Sequence, residues 1–208
     1  MALLTAAEAR VYLPALSGTA EDSTLDTLIA RVGAAIARYL GYPPASVGAN
    51  PTVESASYTL YSGPHLGGIE VSPDGRRLFL PVRPLTAVAS IYDDPNEEYG
   101  AATLLTSTDY AIVSDDGEVR LKPLAVWGGF SDVPFSVKIA CTAGYTSVPA
   151  EIKHAAGLAV AHIYARRAAA GGESIDASGT RIAFERVNLP TPAREVLDPL
   201  RSARGWAA

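Results

Sequence analysis

The sequence predicts an α+β protein: a small bundle of three to four helices with a β-rich insertion between the second helix and a long third one. Three observations carry this. Leu25, Leu28, Ile29, Val32, Ile36, Tyr39 and Leu40 fall on one stripe at helical spacing, with Asp26, Arg31 and Arg38 on other faces. From about Val53 to Thr142 the period becomes nearly alternating, broken by Pro, Gly and Asp. A helical period then returns, with Ile152, Ala155, Ala156, Ala159, Val160, Ile163 and Tyr164 on its apolar face. The expected organisation is an N-terminal helical pair (1–41), a β-rich insertion (53–142), a long core helix (149–170) and a loop with a short C-terminal helix or tail (171–208), all in one domain.

Each element has a local reason. Thr5-Ala6-Ala7-Glu8 spells a capping box, so a short helix starts there and ends near Leu13-Pro14. Glu21-Asp22-Ser23 starts the second helix, Gly41 stops it, and Pro43-Pro44 prevents continuation. Residues 42–52, rich in Pro, Gly, Ala and Asn, read as a linker. Short strands are expected at Ser55 to Tyr61, Arg77 to Val82, Ala87 to Tyr92, Tyr110 to Val113, Glu118 to Leu121 and Phe135 to Cys141. Asp115-Asp116-Gly117 supplies a hairpin turn. Pro81 and Pro84 restrict their strand to an edge or mark a break. Pro149 suits the first turn of the long helix, whose alanines permit close approach of a neighbouring helix, and Gly171-Gly172 ends it. Residues 173–188 read as a mobile loop or a marginal hairpin around Ile182 and Phe184, and a last helix is expected around Ala193 to Arg204.

Composition narrows the function. No apolar run approaches the roughly 20 residues a bilayer requires, so no membrane association is expected. The N-terminus lacks the basic region of a signal peptide, which points to a cytoplasmic origin. A net charge of −5 argues against a general nucleic-acid binder. The charge is uneven: residues 1–165 hold ten Lys/Arg against seventeen Asp/Glu, a balance of −7, whereas residues 166–208 hold seven Arg against five acids, a balance of +2. An arginine-only tail on an acidic body fits either a segment that docks on an acidic partner or a solvated tail.

Catalytic constellations are not found, and no cofactor or metal is expected. His154 and His162 are eight residues apart on the long helix, too far to share a metal, and His65 lies in a glycine-rich loop. The glycines at 63, 67 and 68 lack the Gly-Lys-Ser/Thr ending of a phosphate loop. Cys141, alone and inside a strand, reads as a small buried hydrophobe. The acidic pairs Asp93-Asp94, Glu97-Glu98 and Asp115-Asp116 read as solvated turns. Trp127 and Phe130, in Val126-Trp127-Gly128-Gly129-Phe130, form an aromatic pair in a glycine-flanked loop that can either anchor an interface or fold back over the sheet.

The order of these signals carries a resemblance. Leu4-Thr5-x-x-Glu8-Ala9 opens the helical pair. Leu80-Pro81-Val82-Arg83-Pro84-Leu85-Thr86-Ala87-Val88-Ala89-Ser90-Ile91 comes next in the β-rich middle, then Asp109-Tyr110-Ala111-Ile112-Val113 and Gly117-Glu118-Val119-Arg120-Leu121. Val137-Lys138-Ile139-Ala140-Cys141-Thr142-Ala143-Gly144-Tyr145 runs through Val148-Pro149-x-x-Ile152-Lys153-x-Ala155 into a helix ending Tyr164-Ala165-Arg166-Arg167. Over residues 3–167 the chain resembles the head–tail connector (adaptor) proteins of tailed bacteriophages, found also in phage-derived gene transfer particles. Cys141 departs from the pattern, which has an aromatic residue there, and the tail from Gly171 onward is not matched.

The resemblance implies a non-enzymatic structural subunit of the virion neck, made in the host bacterial cytoplasm. It implies a homo-oligomeric ring, of twelve copies, between the portal protein and a stopper or tail-completion protein, with DNA passing through the channel unread. The subunit alone can be a monomer. An acidic channel would repel the duplex. Arg194, Arg201, Arg204 and Trp206 are expected to meet the portal, ordering on assembly. The alternatives are another neck or tail-completion protein, a small metal-dependent enzyme using the histidines, and a sequence-independent DNA-binding module.

Overall fold

The computed structural model describes residues 3–63, 68–167, 174–177, 180–183 and 189–201. Helices and antiparallel sheets are both present, so the α+β class holds. The chain divides into two compact units, one from Met1–Leu40 with Val148–Ala203, the other chiefly Gly41–Ser147.

The first unit contains α1 (Ala6–Arg10), α2 (Asp22–Tyr39), α3 (Ala150–Arg166) and α4 (Thr191–Leu197). The capping box is fully formed: Glu8 N donates to the Thr5 hydroxyl at 3.2 Å, and Thr5 N donates to the Glu8 carboxylate at 2.7 Å. These contacts, with Lys153 at 3.0 Å, hold the Glu8 carboxyl below its ordinary range. Leu25, Leu28, Ile29, Val32 and Ile36 are buried along α2. On α3 the buried face comprises Ile152, Ala155, Ala156, Gly157, Ala159 and Val160. It stops there: Ile163 and Tyr164 are only half-buried, because the last turn emerges from the core and its tyrosine takes the Arg167 guanidinium over its ring at 4.5 Å. Arg167 in turn pairs with Glu21 at 2.7 Å. Gly157 lies under the Tyr12 ring so closely that a Cβ would overlap it, and the Tyr12 hydroxyl bonds His154 Nδ1 at 3.1 Å. A structural contact thus occupies one of the histidines considered for chemistry.

The expected C-terminal helix is α4 followed by a 3-10 turn (Asp198–Leu200), and Ala193 and Leu197 are fully buried. The turn is pinned to the end of α2: the Tyr39 hydroxyl donates to Asp198 at 2.5 Å, and the Arg201 guanidinium lies 4.8 Å from the Tyr39 ring centroid. Between α3 and α4 the backbone pairs as a hairpin of β8 (Ser174–Ala177) and β9 (Thr180–Ala183), so the hairpin alternative is the one adopted by those residues; Phe184 lies outside the described residues.

The second unit holds two sheets. In the first, β7 (Val137–Ala143) lies between β1 (Ala56–Tyr61) and β4 (Leu85–Asp93), antiparallel to both. Val137, Ile139, Cys141 and Ala143 face inward, and burial pushes the Cys141 thiol up to about 12. The second sheet runs β2 (Glu70–Val71), β3 (Arg77–Phe79), β6 (Glu118–Leu121) and β5 (Tyr110–Val113). The strand expected through Val82 ends at Phe79. Residues between β3 and β4 carry Pro81 and Pro84, which cannot donate to a ladder, and the chain leaves one sheet for the other there.

Gly117 closes the β5–β6 hairpin with φ +61, and a Cβ on it would stand 2.6 Å from the Val82 carbonyl oxygen and 3.2 Å from that of Leu80. Gly48 has φ +81 with nothing within 4 Å. Gly117→Ala is expected to lower stability by about 3 kcal/mol, the left-handed penalty plus the carbonyl collision, whereas Gly48→Ala costs about 1 kcal/mol. Urea unfolding midpoints of the two variants check the difference.

Candidate assembly surface

The β6–β7 connection is a braced loop that presents apolar side chains to solvent. Leu124 is 96% exposed and Val126 is 92% exposed, and Trp127 beside them is half-buried. Such exposure on a loosely held loop would mean little, but this one is tied at both ends. The Arg76 guanidinium donates to the Lys122 carbonyl at 2.9 Å and to the Gly128 carbonyl at 3.4 Å. Phe130 N donates to the Gly75 carbonyl at 2.6 Å, and Gly75 holds the left-handed conformation (φ +66) that this approach uses. Phe130 itself is 6% exposed, so the two aromatics of the pair separate: Phe130 folds back into the unit and Trp127 stays at the surface.

Trp127 forms part of the wall of an open cleft of about 750 Å³, with Asp74, Asp93, Pro95 and Asp132 around it. The pair Asp93-Asp94 differs from its expected role as a solvated turn, since the two residues are 6% and 4% exposed. Asp94 is buried because it organises the next loop: its carboxylate accepts from Asn96 N and Tyr99 N, each at 2.9 Å. Asp93 Oδ2 accepts from Ser131 N at 3.0 Å, while Oδ1 is buried with no hydrogen-bond partner among the described residues. Burial and the neighbouring Asp94 raise the Asp93 pKa, against a lowering by the Ser131 amide.

A second surface feature lies on the outer face of the three-stranded sheet. Tyr61, Lys138 and Tyr92 stand side by side on β1, β7 and β4. Lys138 Nζ lies 4.8 Å from the ring centroid of Tyr99, and about equally far, 6.0 and 5.9 Å, from those of Tyr61 and Tyr92. Tyr99 and Phe135 both take positive φ, +50 and +64, and the Tyr99 hydroxyl donates to the Phe135 carbonyl at 2.6 Å. Phe135 is 43% exposed. Strained residues that present aromatic rings are a recurrent mark of binding surfaces. No short-range pattern flags this cluster, because strand pairing over 46 and 77 residues assembles it.

The arginines expected in a docking segment separate as well. Arg194 sits on α4 and donates to the Thr191 hydroxyl at 3.3 Å, and Arg201 stacks on Tyr39. Arg204 and Trp206 lie outside the described residues. Among the described residues no three His, Cys, Asp or Glu side chains converge as a metal site, and no helix is long and apolar enough to cross a membrane.

Comparison with known proteins decides the family, since the head completion protein family matches residues 2–203, nearly the whole chain. The chain belongs to the head completion protein family. The resemblance read from its sequence is therefore borne out at the level of the family. Among solved structures it is similar to a chain from the neck of a native gene transfer agent (GTA) particle computed with C12 symmetry, at 16% identity and a TM-score of 0.51. That match covers 98% of this head completion protein and 93% of the neck chain, and it shows a shared fold. No curated protein matches the sequence.

The raised Asp93 pKa has a sign that can be worked out. A carboxyl whose folded pKa lies above its unfolded value favours the folded state only while protonated. Its contribution fades as pH rises from the ordinary carboxylate range through the raised value. Asp93→Asn, which keeps an acceptor for Ser131 N, is therefore expected to match or exceed the wild type in stability at neutral pH. That advantage should vanish in acid. Paired urea titrations across pH measure it.

Proposed function

We propose that this head completion protein is a ring-forming head–tail connector subunit, without catalytic activity, that sits between the portal and the stopper or tail-completion protein. It is made in the host cytoplasm and incorporated into the particle, where DNA passes through the ring as an unread passenger. The observation that carries the reading is the braced loop with exposed Leu124 and Val126 beside half-buried Trp127: a monomer gains nothing from holding such apolar side chains in water, whereas an assembly buries them. Family membership and the C12 symmetry of the similar neck structure support the ring. The acidic balance of residues 1–165 suits a channel that does not grip phosphate.

The portal-facing segment is narrower than the whole C-terminal region. Ala193 and Leu197 are core residues of the first unit, and Arg194 and Arg201 make contacts within the chain. The segment proposed to meet the portal therefore begins after Arg201 and includes Arg204 and Trp206.

Two variants test the assignment in particle-producing cells. Leu124→Ser combined with Val126→Ser is expected to leave the subunit folded while DNA-filled heads accumulate without tails, scored by electron microscopy. Wild-type numbers of tailed particles would overturn the loop's role. Truncation after Arg201 is expected to abolish pull-down by purified portal. Undiminished portal binding would remove the terminal segment from the interface, and capture by tail proteins alone would move the subunit to the tail side.

A further inference from the structure

We propose that Lys138 and the tyrosines around it, on the outer face of the three-stranded sheet, receive the acidic hairpin tip Asp115-Asp116 of a neighbouring copy of the chain. Lys138 is half-buried, and its contacts among the described residues are the rings of Tyr61, Tyr92 and Tyr99. Ring faces offset part of the cost of drawing an ammonium out of water, but they leave its three N–H donors without an acceptor. Among the described residues no carboxylate pairs with it. Asp94 is spent on the amides of Asn96 and Tyr99. The Tyr99 hydroxyl is committed to the Phe135 carbonyl, whereas those of Tyr61 and Tyr92 have no hydrogen-bond partner among the described residues. One cation and two phenolic hydroxyls on one face suit a carboxylate. A DNA phosphate would suit the same donors, but the acidic balance of residues 1–165 repels the duplex.

The chain carries the complementary group at a fixed place. Asp115 and Asp116 are exposed at the β5–β6 turn, and their side chains have no partner among the described residues. The turn itself is held firmly. The Ser114 carbonyl accepts from Leu85 N at 2.9 Å, and Leu80 N donates to the Gly117 carbonyl at 2.8 Å. These bonds also place the tip at the Leu85 end of the sheet, where β4 meets Ala143, whereas Lys138 pairs with Tyr92 at the other end. Five positions along β7 separate Ala143 from Lys138, roughly 17 Å of strand. The tip and the lysine therefore do not meet within one chain. Complementary charges at opposite ends of one unit are what a head-to-tail contact between copies requires, and such contacts close into rings. The second copy as occupant rests on the ring reading above; the unmatched charges do not.

Carbodiimide coupling of purified wild-type particles tests the contact, because the reagent joins an amine to a carboxylate where the two touch. Lys153 and Glu8, 3.0 Å apart within one chain, serve as the internal control. Mass spectrometry is expected to find Lys138 joined to Asp115 or Asp116, in gel bands that climb from dimer upward. If Lys153 couples to Glu8 while Lys138 couples to a different protein or to nothing, the proposal is overturned and the connector reading stands. Absence of the chain from purified particles would overturn both. Asp115→Lys combined with Asp116→Lys alters exposed side chains only, so the variant is expected to fold while tailed particles fall by roughly tenfold. Adding Lys138→Glu to that variant should restore most of them. Undiminished tailed particles in the hairpin variant would also overturn the proposal.

Discussion

The β unit depends on the burial of one strand. β7 hydrogen-bonds to β1 on one side and β4 on the other, and its inward side chains at 137, 139, 141 and 143 are between 0% and 4% exposed. Because side chains alternate along a strand, a one-residue slip of β7 would expose this whole set and bury Lys138. Register is therefore fixed, and other features inherit it. Lys138 can lie among Tyr61, Tyr92 and Tyr99 only in this register. Ser136, just before the strand, bonds the Val133 carbonyl at 2.6 Å and turns the chain out of the exposed loop. Gly144, just after it, takes φ +104 against Glu54, where a Cβ would collide with that residue's carbonyl.

Much of this was legible in the sequence, because it rests on short-range rules. Thr5 and Glu8 announce the capping box, the stripe from Leu25 to Ile36 announces α2, and Asp115-Asp116-Gly117 announces the hairpin. Pro81 and Pro84 announced a break, although not that the chain changes sheets there. β2 was missed, being two residues long and held only by pairing with β3. The burial of Asp93 and Asp94 was missed for a related reason. An acidic pair at a strand end looks like a solvated turn until its partners are known: Ser131, from the β6–β7 loop, bonds Asp93, and the amides of Asn96 and Tyr99 fold back onto Asp94. The separation of Phe130 from Trp127 depends on the Gly75 carbonyl, more than fifty residues away in sequence.

The surface features share a physical logic. Each places a group where the isolated subunit gains little from it: apolar side chains on a braced tip, aromatic rings on left-handed backbone, a carboxylate oxygen without a hydrogen-bond partner among the described residues. Folding tolerates these because the core of β7 and the α2–α3 packing supply the stability. On the proposed ring reading, a subunit that stays soluble before assembly and then binds firmly needs such a reserve, with small unsatisfied sites in place of one large sticky face. The acidic balance of the body would further discourage premature association through self-repulsion, and would leave the arginine-bearing end to choose an acidic partner.

The central claim, that this head completion protein builds a ring against the portal, is tested most directly by imaging. Purified protein would be mixed with purified portal rings and examined by electron cryo-microscopy. The account predicts an added layer of density under the portal with the portal's rotational symmetry, one copy of the chain per asymmetric unit. Portal rings that remain bare at high protein concentration would contradict it.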